Sequence, residues 1–200
     1  MTTPATAITD IVLGIDPGPY ESAYCLLVEG EPATFAKVVN ENFLAKLRNV
    51  FAGTPIVVIE TIFPRGQSVG LETMNTQLWA GKYWEAAESR GSKVHGIDRQ
   101  DVRFAICGSL DTNDSSVRQG LIDHYGGDRK AIGGKRCKTC KHGNMGTAKR
   151  PMQCSSCGGS GWAVEPGPLH KFAKDMWSAL SIALAWRLRQ QLKVPIVNGV

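Results

Sequence analysis

The chain has 200 residues, of which 42% are hydrophobic and 20% are charged, and its formal net charge is +5. This composition is typical of a globular protein with a full hydrophobic core, and it argues against a disordered or low-complexity chain. No apolar run approaches the roughly 18 residues that a membrane-spanning helix needs, so we expect a cytoplasmic protein without a membrane partner.

The first predicted element is a strand over residues 11–16, an apolar run that ends at Asp16 and is followed by Pro17 and Gly18. Hydrophobic residues bounded by proline and glycine are typical of a buried strand. A carboxylate at the end of such a strand is costly to bury unless it is paired or binds a metal. Asp16 is therefore either a turn former or a metal ligand.

Further strands are predicted over residues 23–28, 34–39 and 56–60, with a helix over residues 41–51. The strand over residues 56–60 is also apolar and also ends in an acid, Glu60. Downstream we predict a helix over residues 72–90, a strand over 93–97, helices over 99–106 and 113–125, and a final helix over 171–192. Strands that alternate with helices indicate an α/β domain, here spanning residues 8–200.

A third acid, Asp175, falls near the start of the final predicted helix, just before a stretch that is apolar on almost every face. An acid there can simply stabilise the helix through a favourable interaction with the helix dipole. Together with Asp16 and Glu60, however, it completes the set of oxygen ligands that Mg²⁺ prefers. Acids from separate elements can hold two such ions for phosphodiester hydrolysis, so we expect a catalytic site with two Mg²⁺ ions.

These segments resemble RuvC-type Holliday junction resolvases, with the phage-encoded branch closest. The similar stretches are residues 13–18, residues 57–60 and residues 175–183. The resemblance implies a ribonuclease H-like fold, a mixed sheet flanked by helices, and a homodimer that nicks branched DNA with Mg²⁺ or Mn²⁺. Asp16, Glu60, Asp175 and Ser178 then occupy the catalytic positions.

The chain departs from the family pattern at three positions. Ser178 stands where the family usually has a second metal-site residue on the final helix, and a hydroxyl is a weak metal ligand. Asp111 and Asp114 replace basic residues that contact DNA in the family.

After Glu60, the resemblance makes Phe63 a candidate wedge at the junction crossover and Arg65 a phosphate contact. A place for Phe63 in the core is equally compatible with the sequence.

A basic segment precedes the final helix. Between residues 129 and 164 there are eight Lys or Arg and no Asp or Glu, and the segment contains two C-x-x-C pairs. In a cytosolic chain this spacing favours a structural zinc site over disulfides, with redox activity a remote alternative. We predict a zinc-binding insert over residues 133–162 with one Zn²⁺, resembling half of the cysteine-rich region of DnaJ-type chaperones. Its four ligands are Cys137, Cys140, Cys154 and Cys157.

The insert has too few apolar residues for a core of its own, so the zinc would stiffen a basic finger. Its basic side chains are candidates for contacts with DNA phosphates, which give salt-dependent affinity and little sequence specificity. These candidates are Lys135, Arg136, Lys138, Lys141, Lys149 and Arg150.

The sequence thus predicts a metal-dependent endonuclease acting on branched DNA in recombination or repair. The alternative keeps the same fold as a zinc-bearing DNA-binding protein with a weak or inactive catalytic site. A phosphate loop of an actin-like ATPase is disfavoured, because that architecture needs two such domains and 200 residues leave no room for them.

Overall fold

The computed structural model describes residues 10–63, 66, 68–140, 143–145 and 151–192. The chain forms two compact units. The first, which we call the sheet unit, contains the residues up to Val117 and those from Ala173 onward. The second, Arg118–Phe172, we call the cysteine unit, and the predicted insert over residues 133–162 lies within it.

A mixed five-stranded sheet forms the centre of the sheet unit, in the order β3-β2-β1-β4-β5. The central strand β1 pairs antiparallel with β2 and parallel with β4, and β5 continues the parallel side. This architecture confirms the predicted mixed α/β sheet flanked by helices. The strands are β1 Ile11–Asp16, β2 Glu21–Val28, β3 Glu31–Val39, β4 Ile56–Glu60 and β5 Lys93–Ile97.

Five helices match the predicted ones in order, and the short α5 was not predicted. The helices are α1 Asn40–Asn49, α2 Leu71–Glu88, α3 Arg99–Cys107, α4 Asp114–His124, α5 Asp128–Ala131 and α6 Met176–Leu192. The predicted start of the last helix at residue 171 is wrong, because Lys171 and Lys174 have φ angles of 72° and 46°. Left-handed residues cannot continue a right-handed helix, so α6 begins only after Asp175.

One face of the sheet packs on α1 and α2. Alternate residues of the strands, such as Ile15 of β1 and Ile59 of β4, enter this core with no solvent exposure. Tyr24 of β2 stacks on Phe43 of α1 with ring centroids 5.2 Å apart. Burial of this face fixes the register of the strands, because a shift by one residue would turn these side chains to the other face.

The opposite face of β1 packs on α6, and Gly14 makes this contact possible. A β-carbon built on Gly14 would lie 2.3 Å from the carbonyl oxygen of Ala179 and 2.8 Å from the β-carbon of Ala183. Small residues on both elements thus bring helix and strand together more closely than larger side chains would permit. This packing puts the start of α6 near the carboxyl end of β1.

The cysteine unit contains a two-stranded antiparallel ribbon of β6 (Gly133–Arg136) and β7 (Trp162–Pro166). Its buried apolar residues include Leu121, Ala131 and Leu169. Between the two strands, Asn144 and Gln153 form an isolated antiparallel bridge. The segment with the C-x-x-C pairs therefore begins and ends on one ribbon.

Candidate active site and cysteine cluster

Asp16 and Glu60 lie next to each other at the carboxyl ends of two neighbouring parallel strands. Ile15 and Ile59 are register partners, and each acid is the following residue, so both side chains leave the same face of the sheet. Burial of the Asp16 carboxylate raises its pKa well above the usual value. Repulsion by Glu60, a hydrogen bond with Glu60, and repulsion by Asp175 raise this pKa further. Paired acids in such surroundings favour a bound cation.

Asp175 lies immediately before α6, where its carbonyl oxygen accepts a hydrogen bond from the backbone N–H of Ala179 at 3.0 Å. It therefore occupies the N-cap position, whereas the predicted helix over residues 171–192 had placed it inside the helix. Its carboxylate oxygen Oδ2 lies 2.7 Å from Nζ of Lys37, and its side chain is 46% exposed. Ser178 follows in the first turn of α6, three residues later, which puts both on one side of the helix.

The three acids are neighbours but do not form a closed ligand cage. Among the described residues, just one group of three or more Cys, His, Asp or Glu has all its ligand atoms within 4.8 Å of one another, and it consists of cysteines. Asp175 is nevertheless near enough to Asp16 for charge repulsion to raise the pKa of Asp16. The structure thus brings Asp16 and Glu60 together directly, and Asp175 more loosely.

Two basic residues of the site were not predicted from the sequence. Nη1 of Arg99 lies 3.6 Å from Oε1 of Glu60, and this cation partly offsets the raised pKa of Asp16. Lys37 binds Asp175, and that hydrogen bond raises the pKa of the lysine. Arg99 follows the end of β5 by two residues, and β5 pairs with the strand that carries Glu60, so its place in the sequence could have identified it.

Asp114, one of the departures from the family pattern, holds Arg99 in place. Nη2 of Arg99 lies 2.9 Å from both carboxylate oxygens of Asp114, and Nη2 of Arg103 lies 3.6 Å from Oδ1. These contacts with Arg99, together with Arg103, keep the pKa of Asp114 below its usual value. Asp111 is exposed, and its backbone N–H donates to Oγ of Ser109. Asp114 therefore orients the guanidinium group of Arg99 towards Glu60.

A buried polar network fixes the turn that follows Asp16. The Ser22 hydroxyl donates to Oδ1 of Asn40 at 2.7 Å and lies 3.0 Å from the Tyr83 hydroxyl. Nδ2 of Asn40 donates to the carbonyl of Gly18 at 2.9 Å, and the backbone N–H of Gly18 donates to Ser22 at 3.2 Å. Ser22 and Asn40 are almost completely buried. The network thus ties the loop after the first acid to helices α1 and α2.

The loop after β4 carries an exposed aromatic side chain. Phe63 is 53% exposed, so the alternative that places it in the core is wrong. Its neighbour Ile62 is 40% exposed. Arg65, the predicted phosphate contact of this loop, lies outside the described residues.

The four cysteines of the C-x-x-C pairs meet in the cysteine unit. All four are free thiols, and their sulfur atoms lie within 4.8 Å of one another. Sγ of Cys137 lies 4.0 Å from that of Cys154, and Sγ of Cys140 lies 3.6 Å from that of Cys157. Tetrahedral zinc with Zn–S bonds of about 2.3 Å requires S–S separations of about 3.8 Å. The cluster therefore has the dimensions of a structural zinc site.

Three of the predicted DNA contacts are described on or near β6. Lys135, Arg136 and Lys138 are exposed, and the Arg136 guanidinium lies 3.8 Å from the centre of the Trp162 ring. This stacking orients Arg136 along the ribbon surface. The other three, Lys141, Lys149 and Arg150, lie outside the described residues.

No protein-family model matches the chain, and no curated protein sequence matches it. Solved structures do. RuvC of Thermus thermophilus is 17% identical with a TM-score of 0.58, and the match covers 92% of this chain and 96% of that one. T. thermophilus RuvC in complex with a Holliday junction substrate is 15% identical, with the same TM-score and coverage. This likeness confirms the predicted ribonuclease H-like fold. Within the described residues, no helix is long and apolar enough to span a membrane.

Proposed function

We propose that the chain is a metal-dependent endonuclease that nicks Holliday junctions and other branched DNA by phosphodiester hydrolysis. The observation that carries the proposal is the adjacency of Asp16 and Glu60, with Asp175 beside them at the start of α6. The RuvC fold adds support, because a protein of that fold has been solved with a Holliday junction.

The donor set fits a hard divalent cation, Mg²⁺ or Mn²⁺. Asp16 and Glu60 are the residues that would hold it, with Asp175 and Ser178 completing the catalytic set. Such an ion supplies activation of a water molecule and stabilisation of the leaving oxygen. The buried carboxylate of Asp16 beside Glu60 supports this assignment, because a cation would relieve the cost that raises its pKa.

Residues around the proposed metal site would contact the DNA in different ways. Arg99, held by Asp114, is oriented to bind a phosphate oxygen of the DNA beside Glu60. The exposed Phe63 is the candidate wedge for a base step at the crossover, and Arg65 the phosphate contact next to it. Inserting a side chain between bases costs a few kcal/mol, which favours DNA that is already distorted.

The cysteine unit is proposed to bind DNA. Cys137, Cys140, Cys154 and Cys157 would hold one structural Zn²⁺, which gives a segment with little apolar content a fixed shape. Phosphate contacts would come from the basic residues of the same stretch of sequence. These are Lys135, Arg136, Lys138, Lys141, Lys149 and Arg150.

We further infer a homodimer that acts in the cytoplasm on recombination or repair intermediates. Helix α2 carries an exposed apolar stripe at helical spacing, formed by Leu71, Met74 and Leu78 with exposures of 74%, 60% and 58%. A second copy of the same helix would cover it, and two catalytic sites match the two strands cut at a four-way junction. Six free cysteines agree with a reducing compartment.

The second candidate function is branched-DNA binding with a weak or inactive catalytic site. The serine at position 178 and the engagement of Asp175 by Lys37 favour it. Nicking of a synthetic four-way junction in Mg²⁺ or Mn²⁺ decides between the two, with Asp16→Asn and Glu60→Gln as matched variants. The nuclease proposal expects nicks from the wild type and losses of on the order of 10²-fold or more in each variant. Tight junction binding without nicks would establish the second candidate.

A further inference from the structure

We propose that Lys37 supplies the positive charge that a second metal ion would supply at Asp175, so that the catalytic site holds one divalent cation instead of two. This inference rests on the proposed nuclease function and specifies the composition of the same site. It replaces the two ions expected from the sequence.

The sheet register brings Lys37 into the catalytic site. Asp16 of β1 pairs with Ala23 of β2, and Ala23 pairs in turn with Lys37 of β3. Residues opposite each other on neighbouring strands point to the same face, so these three form one row across the sheet. Ala23, in the middle of the row, has the smallest side chain of the three and is fully buried. The long side chain of Lys37 can therefore extend over it.

The end of the lysine side chain binds the third acid. Nζ of Lys37 lies 2.7 Å from Oδ2 of Asp175 and 3.5 Å from Oε2 of Glu21. A divalent cation bound to the same oxygen of Asp175 would stand within about 3–5 Å of an ammonium group, and this repulsion is unfavourable even at the higher effective dielectric around two partly exposed side chains. The position that a second ion needs is therefore already taken by a charge of the same sign.

The other ligand of that position is also weak. Ser178 offers a neutral hydroxyl on the same side of α6 as Asp175, where a carboxylate would be needed to offset the charge of a second ion. The metal position at Asp16 and Glu60 is different, because both of its ligands are acids and they lie in contact. The side chains of the site thus provide one strong metal position, at Asp16 and Glu60, and leave the position at Asp175 and Ser178 to Lys37.

The test counts Mn²⁺ ions in the full chain with its cysteines loaded with zinc. Calorimetric titration of the wild type is expected to give one Mn²⁺ per chain, and Asp16→Asn is expected to abolish it. The double variant Lys37→Met with Ser178→Asp is expected to bind two. Electron paramagnetic resonance should then show coupled ions, as for metals about 3.5–4 Å apart. Lys93→Met, which changes an exposed lysine of β5, is the control and keeps one ion.

Nicking provides a second readout. Lys37→Met is expected to slow junction nicking on the order of 10²-fold, and Lys37→Arg, which keeps the charge, to restore much of the rate. Two coupled Mn²⁺ ions in a nicking wild type would overturn the inference about Lys37 and leave the nuclease function intact. A double variant that still binds one ion would also overturn it. One bound Mn²⁺ without nicking in any form of the chain would instead overturn the nuclease function.

Discussion

Gly14 of β1 and Ala179 of α6 are in such close contact that a β-carbon on the glycine would lie 2.3 Å from the alanine carbonyl oxygen. Asp16 follows Gly14 by two residues on the same face of the strand, and Asp175 precedes Ala179 by about one helical turn. The contact between glycine and alanine thus determines how closely the acids of β1 and α6 approach each other.

We therefore expect Gly14→Ala to damage both stability and metal binding. The added methyl group must push α6 away from β1, at a cost of about 1–3 kcal/mol in the free energy of unfolding. Urea denaturation measures the first effect and Mn²⁺ titration the second. Gly81→Ala is the matched control, because Gly81 lies inside α2 with nothing within 4 Å of an added β-carbon. That change should stabilise the chain by about 0.5–1 kcal/mol. The same change in unfolding free energy and in Mn²⁺ binding for both variants would contradict this account of the packing.

The buried network behind the turn leads to a second prediction. Ser22→Ala removes one hydroxyl that contacts Gly18, Asn40 and Tyr83, so polar groups are left buried without this partner. We expect a loss of about 1–3 kcal/mol in the free energy of unfolding and weaker Mn²⁺ binding, because the turn after Asp16 loses its anchor. Ser115→Ala, on an exposed part of α4, should change neither quantity appreciably. A neutral effect at position 22 would show that the turn does not depend on the network.

The raised pKa of Asp16 predicts a specific pH dependence of stability. In the metal-free folded state its carboxyl group holds its proton more tightly than in the unfolded state. Its contribution to stability is therefore fully present below the unfolded-state pKa and is lost as the pH rises through the folded-state pKa. Without Mg²⁺ or Mn²⁺, Asp16→Asn should be more stable than the wild type at pH 7, and the difference should vanish near pH 3.

Unfolding curves at a series of pH values, with zinc retained, measure this difference. For each pH unit by which the folded-state pKa exceeds the unfolded-state pKa, the wild type loses about 1.4 kcal/mol of unfolding free energy relative to Asp16→Asn as the pH rises through both pKa values. Added Mn²⁺ should reverse the order, since the wild type binds the ion and the variant does not. A wild type that is more stable than Asp16→Asn at pH 7 without the metal would contradict the assignment.

The cysteine cluster yields a fourth prediction. The purified chain should contain one zinc ion, and Cys154→Ser should lose it, because three thiolates and a hydroxyl bind zinc much more weakly than four thiolates. Elemental analysis measures the ion, and junction binding at several salt concentrations measures the consequence. We expect weaker binding with a shallower salt dependence in the variant. Cys107→Ser, outside the cluster, serves as the control and should retain the zinc. Zinc-free wild-type protein with full affinity for junctions would rule out the proposed role.

Much of the fold could be predicted from the sequence because the signals were local. The strands that end in Asp16 and Glu60 are apolar runs with clear boundaries, and the structure reproduces both. The start of α6 was predicted too early, since the helix-forming composition around Lys171 and Lys174 gives no sign of their left-handed backbone. Exposure of Phe63 was equally undetermined, because an aromatic residue in a loop can pack inward or outward.

The basic half of the candidate site could not be predicted, because it depends on register. Lys37 is one of several polar residues along a partly exposed strand, and only its pairing through Ala23 aligns it with Asp16. Arg99 similarly reaches Glu60 because Asp114 holds it, and these residues are far apart in the sequence. The acids were found from their own surroundings, whereas their partners required the assembled sheet.

The most direct test of the central proposal is the position of Mn²⁺ in crystals of the zinc-loaded chain, located by anomalous scattering. The proposal predicts a manganese peak bound by carboxylate oxygens of both Asp16 and Glu60, with Lys37 still on Asp175. In crystals of Asp16→Asn the peak should be lost. Manganese that binds elsewhere on the chain, or a peak that persists without the Asp16 carboxylate, would contradict it.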